Sequence, residues 1–458
     1  MERIMTLKSV NPATGEAWKI FDEWTPEQTL EAVDAAAGAY ASWKETSFAR
    51  RAECLVSLAG VLKARADEFA GLMAGEMGKP LAFGRAEVLK CAAACEFYAE
   101  KGEAMLASEP VSGCGERAYV DFAPLGVVLA VMPWNFPFWQ ALRVAAPTLM
   151  AGNTMVLKHA SNVPQCALAI EDAFRESAFP DDVFRTLLIG ARQVESVLDH
   201  PSVIGVSLTG SEGAGRKVAA AAGARLKKSV MELGGSDPFV VLEDADIAHA
   251  AKVGASSRCV NAGQTCIAAK RFIVRDEVYD DFLAALDREM GELKVGDPTA
   301  DGTIVGPMAS TALRAELHDQ VGRCVAAGGR ILRGGELPEG PGAFYPPTII
   351  ADAPFEAEVC REELFGPAAL VFRAKDDDEA IRMANDTPFG LGGSVWTGDK
   401  DRGLALARRI ETGVAVVNGL VRSDPNMPFG GIKNSGFGRE LSSFGIREFV
   451  NIKSVIVD

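Results

Sequence analysis

From Tyr119 onward, short β-branched runs alternate with helix-like stretches, and that alternation narrows the chain to a few folds. The runs 126–132, 154–157, 203–208, 229–232 and 239–242 are interleaved with helical patterns at 164–177 and 213–222. Strands alternating with helices argue for a parallel sheet covered on both faces. The pattern resumes after Glu232 through 245–259, 276–293, 310–327 and 376–385, which predicts two α/β units in tandem. Residues 25–108 read instead as helical, with Thr25 placed as an N-cap before Pro26. Weak breaks fall near Gly234-Gly235 and over 334–347, and the β-prone run 449–457 would leave an open edge unless another element or subunit covers it.

The 458 residues, 48% of them hydrophobic, are enough for two or three domains of about 150 residues each. A net charge of −15 without a compensating Lys/Arg run repels phosphate backbones, which makes nucleic acid an unlikely partner. Nine cysteines at irregular spacing fit reduced thiols in the cytoplasm better than a secreted disulfide framework. Cys91 and Cys95 sit one helical turn apart and read as two small hydrophobes on one face. The four histidines show no paired ligand spacing, so no metal is expected. Residues 1–16 carry scattered charges and no apolar core, unlike a secretory leader. The uncharged run 123–142 is long enough to span a bilayer, but Pro124, Pro133 and Pro137 with Asn135 and Gln140 would break such a helix. A buried strand followed by a polar loop is expected there, and no membrane association.

Four local patterns can carry chemistry. Cys266 follows Gly263-Gln264-Thr265; a lone Cys is usually a buried small hydrophobe, but a turn that sets it at the start of an element, with the helix dipole, would favour the thiolate. Glu232 ends an apolar run before two glycines; it is either a solvated strand-end carboxylate or, beside a reactive thiol, a group that activates water. Asn135 lies between Pro133 and Pro137, as a turn residue or as an amide held to stabilise an oxyanion. Residues 209–215 join a strand to a helix through a Gly-rich turn, a sound though incomplete pyrophosphate site with no acidic residue at the usual distance.

Together these patterns resemble the aldehyde dehydrogenase superfamily nearly end to end. The motifs Pro133-Trp-Asn-Phe-Pro137, Leu157-Lys158-His159, Glu232-Leu-Gly-Gly235, Gly263-Gln-Thr-Cys266, Glu363-Leu-Phe-Gly-Pro367, Pro428-Phe-Gly-Gly-Ile-Lys433 and Ser435-Gly-Phe-Gly-Arg-Glu440 stand in order and register. The resemblance implies two Rossmann-like parallel-sheet domains with a small β oligomerisation element. It divides the chain into a cofactor-binding domain (1–108 and 125–231), a catalytic domain (232–434) and the oligomerisation element (109–124 and 435–458). It makes Cys266 the nucleophile, Glu232 the general base, and Asn135 with the Cys266 backbone N–H the oxyanion hole. It gives Lys158 and Glu363 to the cofactor riboses, Phe365 to the nicotinamide, and Trp134, Gly190, Gly210, Ser211, Gly215 and Leu233 to the dinucleotide channel. Glu212 departs from the Gly-Ser-Thr usual at the third place of the loop.

NAD-preferring members often carry Glu at the place of Ser161; Ser161 cannot repel a 2′-phosphate, so the resemblance implies NADP with NAD as a second cofactor. Within the superfamily the chain is most similar to short bacterial succinate-semialdehyde dehydrogenases, which implies a cation for a distal carboxylate, with Arg143, Arg422 and Ser423 as candidates. Another aliphatic or glutarate-type semialdehyde, a Cys-dependent hydrolase or CoA-acylating enzyme, and a non-catalytic member of the fold are the alternatives. Glu232 argues against CoA dependence, and the trio Cys266, Glu232 and Asn135 argues against a non-enzyme. Ile267 and Ala268 leave no second Cys beside the nucleophile for a local disulfide. The resemblance also implies a homodimer or a dimer of dimers through 116–122 and the last strand.

Overall fold

The structure, a computed structural model, describes residues 6–458. Residues 1–5, part of the segment examined above for a leader, lie outside the described residues.

Two large sheets organise the chain. The first has six strands in the order Gly436–Phe437, Lys228–Glu232, Val203–Thr209, Val127–Met132, Thr154–His159 and Phe184–Thr186. All its pairs are parallel except the one made by Gly436–Phe437. From Val127–Met132 the chain first steps to one side, to Thr154–His159, and later to the other, to Val203–Thr209. Open α/β sheets bind ligands outside the carboxyl ends of strands at such a reversal. The segments leaving those ends here are Pro133-Trp134-Asn135 and Gly210-Ser211.

The second sheet has seven strands: Arg330–Arg333, Thr348–Ala351, Ala368–Ala374, Ala269–Arg275, Asp237–Val241, Gly392–Trp396 and Val414–Val417. Only the Arg330–Arg333 pair is antiparallel. A three-stranded sheet orders Val450–Val457, Arg117–Pro124 and Glu109–Val111, so the last strand is covered on one side and remains an edge on the other.

The predicted helical N-terminal region consists of Pro26–Trp43, Phe48–Ala64, Ala66–Met77 and Leu81–Met105. Thr25 does cap the first: its Oγ1 accepts from Gln28 N–H at 3.3 Å while Gln28 Oε1 accepts from Thr25 N–H at 2.9 Å, a reciprocal capping box. Cys91 and Cys95 are both buried on Leu81–Met105, as two small apolar groups. Among the described residues no helix is long and apolar enough to cross a membrane, and no cluster of His, Cys, Asp or Glu is arranged to hold a metal.

One element was not anticipated, and two expectations need correction. A hairpin of Thr6–Val10 and Ala17–Asp22 precedes the helices; its outer strand is almost wholly exposed, so no hydrophobic alternation announced it. In place of a polar loop after Met132, only Pro133–Phe136 is irregular, and Pro137–Met150 is a helix buried at every position. A helix with no solvent-exposed face lacks the buried-and-exposed alternation that usually marks one, and its polar Gln140, Arg143 and Thr148 are buried with the rest. Gly436–Phe437, expected in the oligomerisation element, instead extends the first sheet beside Lys228–Glu232.

Asn261 (φ 57°), Ala262 (φ 52°) and Gly263 (φ 71°) run consecutively in left-handed backbone just before Cys266. At Gly263 a Cβ would lie 2.3 Å from the carbonyl of Gly366, so the chain there passes directly against the Glu363–Pro367 segment. Gly263→Ala is therefore expected to lose at least about 1 kcal/mol of stability from backbone strain alone. Chemical denaturation would show this as a lower midpoint, and an unchanged midpoint would contradict the close approach.

Candidate active site

Cys266 stands where two cavities meet. One, of about 400 Å³, is lined by Trp134, Asn135, Gly210, Ser211, Leu233, Glu363 and Phe365 along with Cys266. The other, of about 310 Å³, reaches the same residue from the side of Phe136, Trp139, Arg143, Arg422, Ser423 and Phe429. The thiol is thus open to two separate spaces.

The loop that presents the thiol is tied to the Asn135 loop by paired hydrogen bonds. Asn135 Nδ2 donates to the Gln264 carbonyl at 3.0 Å, and Asn261 Nδ2 donates to the Asn135 carbonyl at 2.8 Å. Lys79 Nζ reaches the same Asn135 carbonyl at 2.8 Å and is ion-paired with Glu87 in a fully buried setting. Glu87 Oε1 in turn accepts from the N–H groups of Phe138 and Trp139, both at 3.0 Å, capping the buried helix Pro137–Met150. One Asn135 amide hydrogen is committed to Gln264, which fixes the amide plane and leaves its second hydrogen free.

Cys266 itself departs from expectation. It occupies a turn leading into the strand Ala269–Arg275, not the start of a helix, so no helix dipole acts on it. Burial pushes its thiol up to about 12, against the pull of Lys270 and Arg143. Lys270 is the nearer organiser: its Nζ donates to the Cys266 carbonyl at 2.7 Å and lies 3.4 Å from Glu363 Oε1. Glu363 also accepts from Gly235 N–H at 3.1 Å and overhangs Gly234, where a Cβ would meet its Oε2 at 2.3 Å.

Glu232 is buried rather than solvated, 2% exposed, and among the described residues neither carboxylate oxygen has a hydrogen-bond partner. It lines neither cavity; its Oε1 packs against Gly430, where a Cβ would lie 2.5 Å away. Burial, then the neighbouring Glu440, push its carboxyl well above the usual range, with Arg143 opposing. Arg143 is ion-paired with Glu440, donates to Thr209 Oγ1 at 3.3 Å, and lies over the Phe429 ring. One guanidinium thus serves two buried carboxylates.

The first cavity carries the features of a dinucleotide site. Ser211 caps the helix Glu212–Ala224 at its mouth, accepting from Ala214 N–H at 3.4 Å, so that helix directs its free N–H groups there. Gly215 lets Leu233 approach, since a Cβ would meet Leu233 Cδ2 at 2.5 Å. Trp134 meets Phe365 edge-on, ring centroids 5.9 Å apart, across the same space. Glu212 turns to Arg216 at 2.7 Å and away from the turn's N–H groups. Lys158 is buried at the end of its strand, its pKa lowered by that burial, with Glu23 acting against it; Ser161 follows, exposed. Glu23 also packs on Gly190, where a Cβ would lie 2.7 Å from its Oε1, and pairs with Arg192 at 3.3 Å.

Sequence reasoning did not single out Lys79, Glu87, Lys90, Glu23 or Arg192. They reach the site from the N-terminal helices and the hairpin or from a loop after Gly190, and no local motif marks them. Glu440 stood inside a quoted motif without a role.

Residues 2–455 match the model of the aldehyde dehydrogenase family. A curated relative from Mycobacterium tuberculosis, succinate-semialdehyde dehydrogenase [NADP(+)] 1, is 49% identical over 98% of this chain and 99% of its own. Another from Synechocystis sp., a probable succinate-semialdehyde dehydrogenase [NADP(+)], is 48% identical over 98% and 99%. Among solved structures, the succinic semialdehyde dehydrogenase from Streptococcus pyogenes in complex with NADP+ superposes with a TM-score of 0.96 at 38% identity, covering 98% of this chain and 99% of that one. The Mycobacterium tuberculosis aldehyde dehydrogenase complexed with NAD+ gives a TM-score of 0.96 at 32% identity, covering 100% and 95%.

With the thiol held at about 12, alkylation of Cys266 by iodoacetamide in the ligand-free protein should be slow at neutral pH. Because the thiolate is the reacting form, its rate should climb roughly tenfold per pH unit on the alkaline side. Mass spectrometry of the labelled peptide reads this directly, and fast, pH-independent labelling near neutrality would contradict it.

Proposed function

The chain belongs to the aldehyde dehydrogenase family, and on that premise we propose that it oxidises succinate semialdehyde to succinate with NADP as the preferred cofactor. The observation that carries this reading is a single thiol in the common wall of a dinucleotide-type cavity and a second cavity edged with cations. The names of the relatives support both the substrate and the cofactor.

The Cys266 thiol releases its proton to solvent and its sulfur adds to the aldehyde carbon, converting the carbonyl oxygen into an oxyanion. The free Asn135 amide hydrogen and the Cys266 backbone N–H stabilise that oxygen, each such donor being worth about 3 kcal/mol. A bound dinucleotide would supply the hydride acceptor and, through its pyridinium, a positive charge near Cys266. Lys158 and Glu363 would hold its riboses, and Trp134 and Phe365 would border its nicotinamide end. Loss of hydride leaves a thioester on Cys266. Glu232 then takes a proton from water, which attacks the thioester carbon, releasing the acid and returning the thiol. For that step the carboxylate turns from Gly430 toward Cys266. Arg143, Arg422 and Ser423, all on the wall of the second cavity, supply its polar character.

Ser161, three residues beyond Lys158, brings no carboxylate to repel a 2′-phosphate, which supports NADP, and NAD is the slower alternative. The exposed Ile452, Ile456 and Val457 on the free edge of the last strand support a homodimer or a dimer of dimers. Nine free cysteines support a reducing, cytoplasmic setting. The same proposal divides the chain into a cofactor-binding domain, a catalytic domain and an oligomerisation element.

Reduced-cofactor absorbance with succinate semialdehyde tests the reaction: kcat/KM should be higher with NADP than with NAD, and Cys266→Ala should lose at least about a thousandfold. Turnover retained in that variant would overturn the mechanism. The raised pKa of Glu232 means the base form gains population as pH rises. The hydrolytic step should therefore quicken toward alkaline pH, and Glu232→Gln should abolish that limb while still giving a burst of reduced cofactor. A variant with the wild-type pH profile would remove Glu232 from the mechanism.

A further inference from the structure

Four cationic side chains border the second cavity, and they differ in what already neutralises them. Lys79 is paired with Glu87, and Arg143 with Glu440. Arg422 is exposed to solvent and faces Asp424. Lys90 is largely withdrawn from water, and among the described residues no carboxylate lies within ion-pair distance of it.

The Lys90 ammonium is nonetheless held in place. Its Nζ donates to Ser423 Oγ at 2.7 Å and lies 4.0 Å from the centroid of the Trp139 ring. Trp139 Nε1 donates to the same Ser423 oxygen at 3.1 Å. An oxygen that accepts two hydrogen bonds has used both lone pairs, so its own hydrogen must point elsewhere. Among the described residues Ser423 Oγ donates to nothing. An uncommitted ammonium hydrogen and an uncommitted hydroxyl hydrogen therefore stand side by side on the wall that Cys266 shares.

We propose that Lys90 is the specificity-determining residue for the acidic end of the substrate, its ammonium and the Ser423 hydroxyl together receiving the distal carboxylate. This rests on the reading of the reaction given above and replaces Arg143 as the principal counter-charge, because the Arg143 guanidinium is already engaged by Glu440. A carboxylate supplies an ion-pair partner the site lacks and accepts from both donors, whereas a neutral aldehyde of equal length leaves a half-buried cation without one.

The protonation state of Lys90 follows from its surroundings. Burial and Arg143 lower its pKa to about 8, while Cys91 and Glu87 on its own helix side and Asp424 from the facing loop pull the other way. Below that pH the free site is charged; above it the charge is lost, so KM for an acidic aldehyde should rise with pH while KM for a neutral one stays flat.

The test compares succinate semialdehyde with butanal in wild type, Lys90→Met, Lys90→Arg and Ser423→Ala. Lys90→Met should raise KM for succinate semialdehyde by about 10- to 100-fold, the usual range for a charge-assisted hydrogen bond. Butanal kcat/KM should stay within about threefold. Lys90→Arg should restore much of the loss and remove the rise of KM near pH 8, and Ser423→Ala should weaken the acidic substrate alone. Equal losses on both substrates, or an unchanged KM for succinate semialdehyde, would overturn the assignment. If Lys90→Met does not fold, the pH dependence of wild type against Lys90→Arg and the Ser423→Ala result decide alone. Wild type that oxidises butanal but not succinate semialdehyde would instead defeat the reading of the substrate, a distinguishable outcome.

Discussion

The site depends on two backbone carbonyls, those of Asn135 and Gln264. Each accepts from a side chain across the loop boundary, and Lys79 adds a charged donor to the first. Lys79 is in turn fixed by Glu87, whose other oxygen terminates the buried helix that follows Asn135. A buried ion pair of this kind contributes little net stability over an apolar substitute, but removing one partner costs about 3–5 kcal/mol. Its use here is geometric. It holds the loop bearing the amide against the loop bearing the thiol, although one belongs to the first sheet and the other to the approach to the second.

The same economy governs charge around Glu232. Two buried carboxylates, Glu232 and Glu440, share the guanidinium of Arg143. Burial raises both carboxyls above the ordinary range, repulsion from Glu440 adds to the rise at Glu232, and Arg143 opposes in each case. Glu440 holds the ion pair and accepts from Ser207 at 3.1 Å, which leaves Glu232 as the member without hydrogen-bond support. On the proposed mechanism, that unsupported carboxyl is the one that serves as base in hydrolysis.

Much of this arrangement was legible in the chain. The strand and helix alternation located the first sheet's four long strands to within two residues at their ends, because fully buried parallel strands leave short β-branched runs in the sequence. Trp134, Asn135, Gly210, Ser211, Leu233, Glu363 and Phe365 come together with Cys266 around one cavity, since motifs of this kind sit at strand ends. What was hidden has physical causes. The helix Pro137–Met150 is buried on every side, its Gln140, Arg143 and Thr148 included, so no solvent-facing stripe marks it. The thiol's surroundings were misjudged because Gly263-Gln-Thr resembles the approach to a helix, whereas left-handed backbone at Asn261 and Ala262 turns the chain into a strand. Lys79, Glu87 and Lys90 lie on or just before one long, partly exposed helix rich in charged residues, and only tertiary packing brings their polar ends to the cavity.

The placement of Cys266 between two spaces bears on traffic. Because Cys266 lines both cavities, on the proposed reading the bulky nucleotide and the small aldehyde need not queue for one doorway. In that arrangement a tightly held nucleotide would not bar the acid from leaving by the way the aldehyde came.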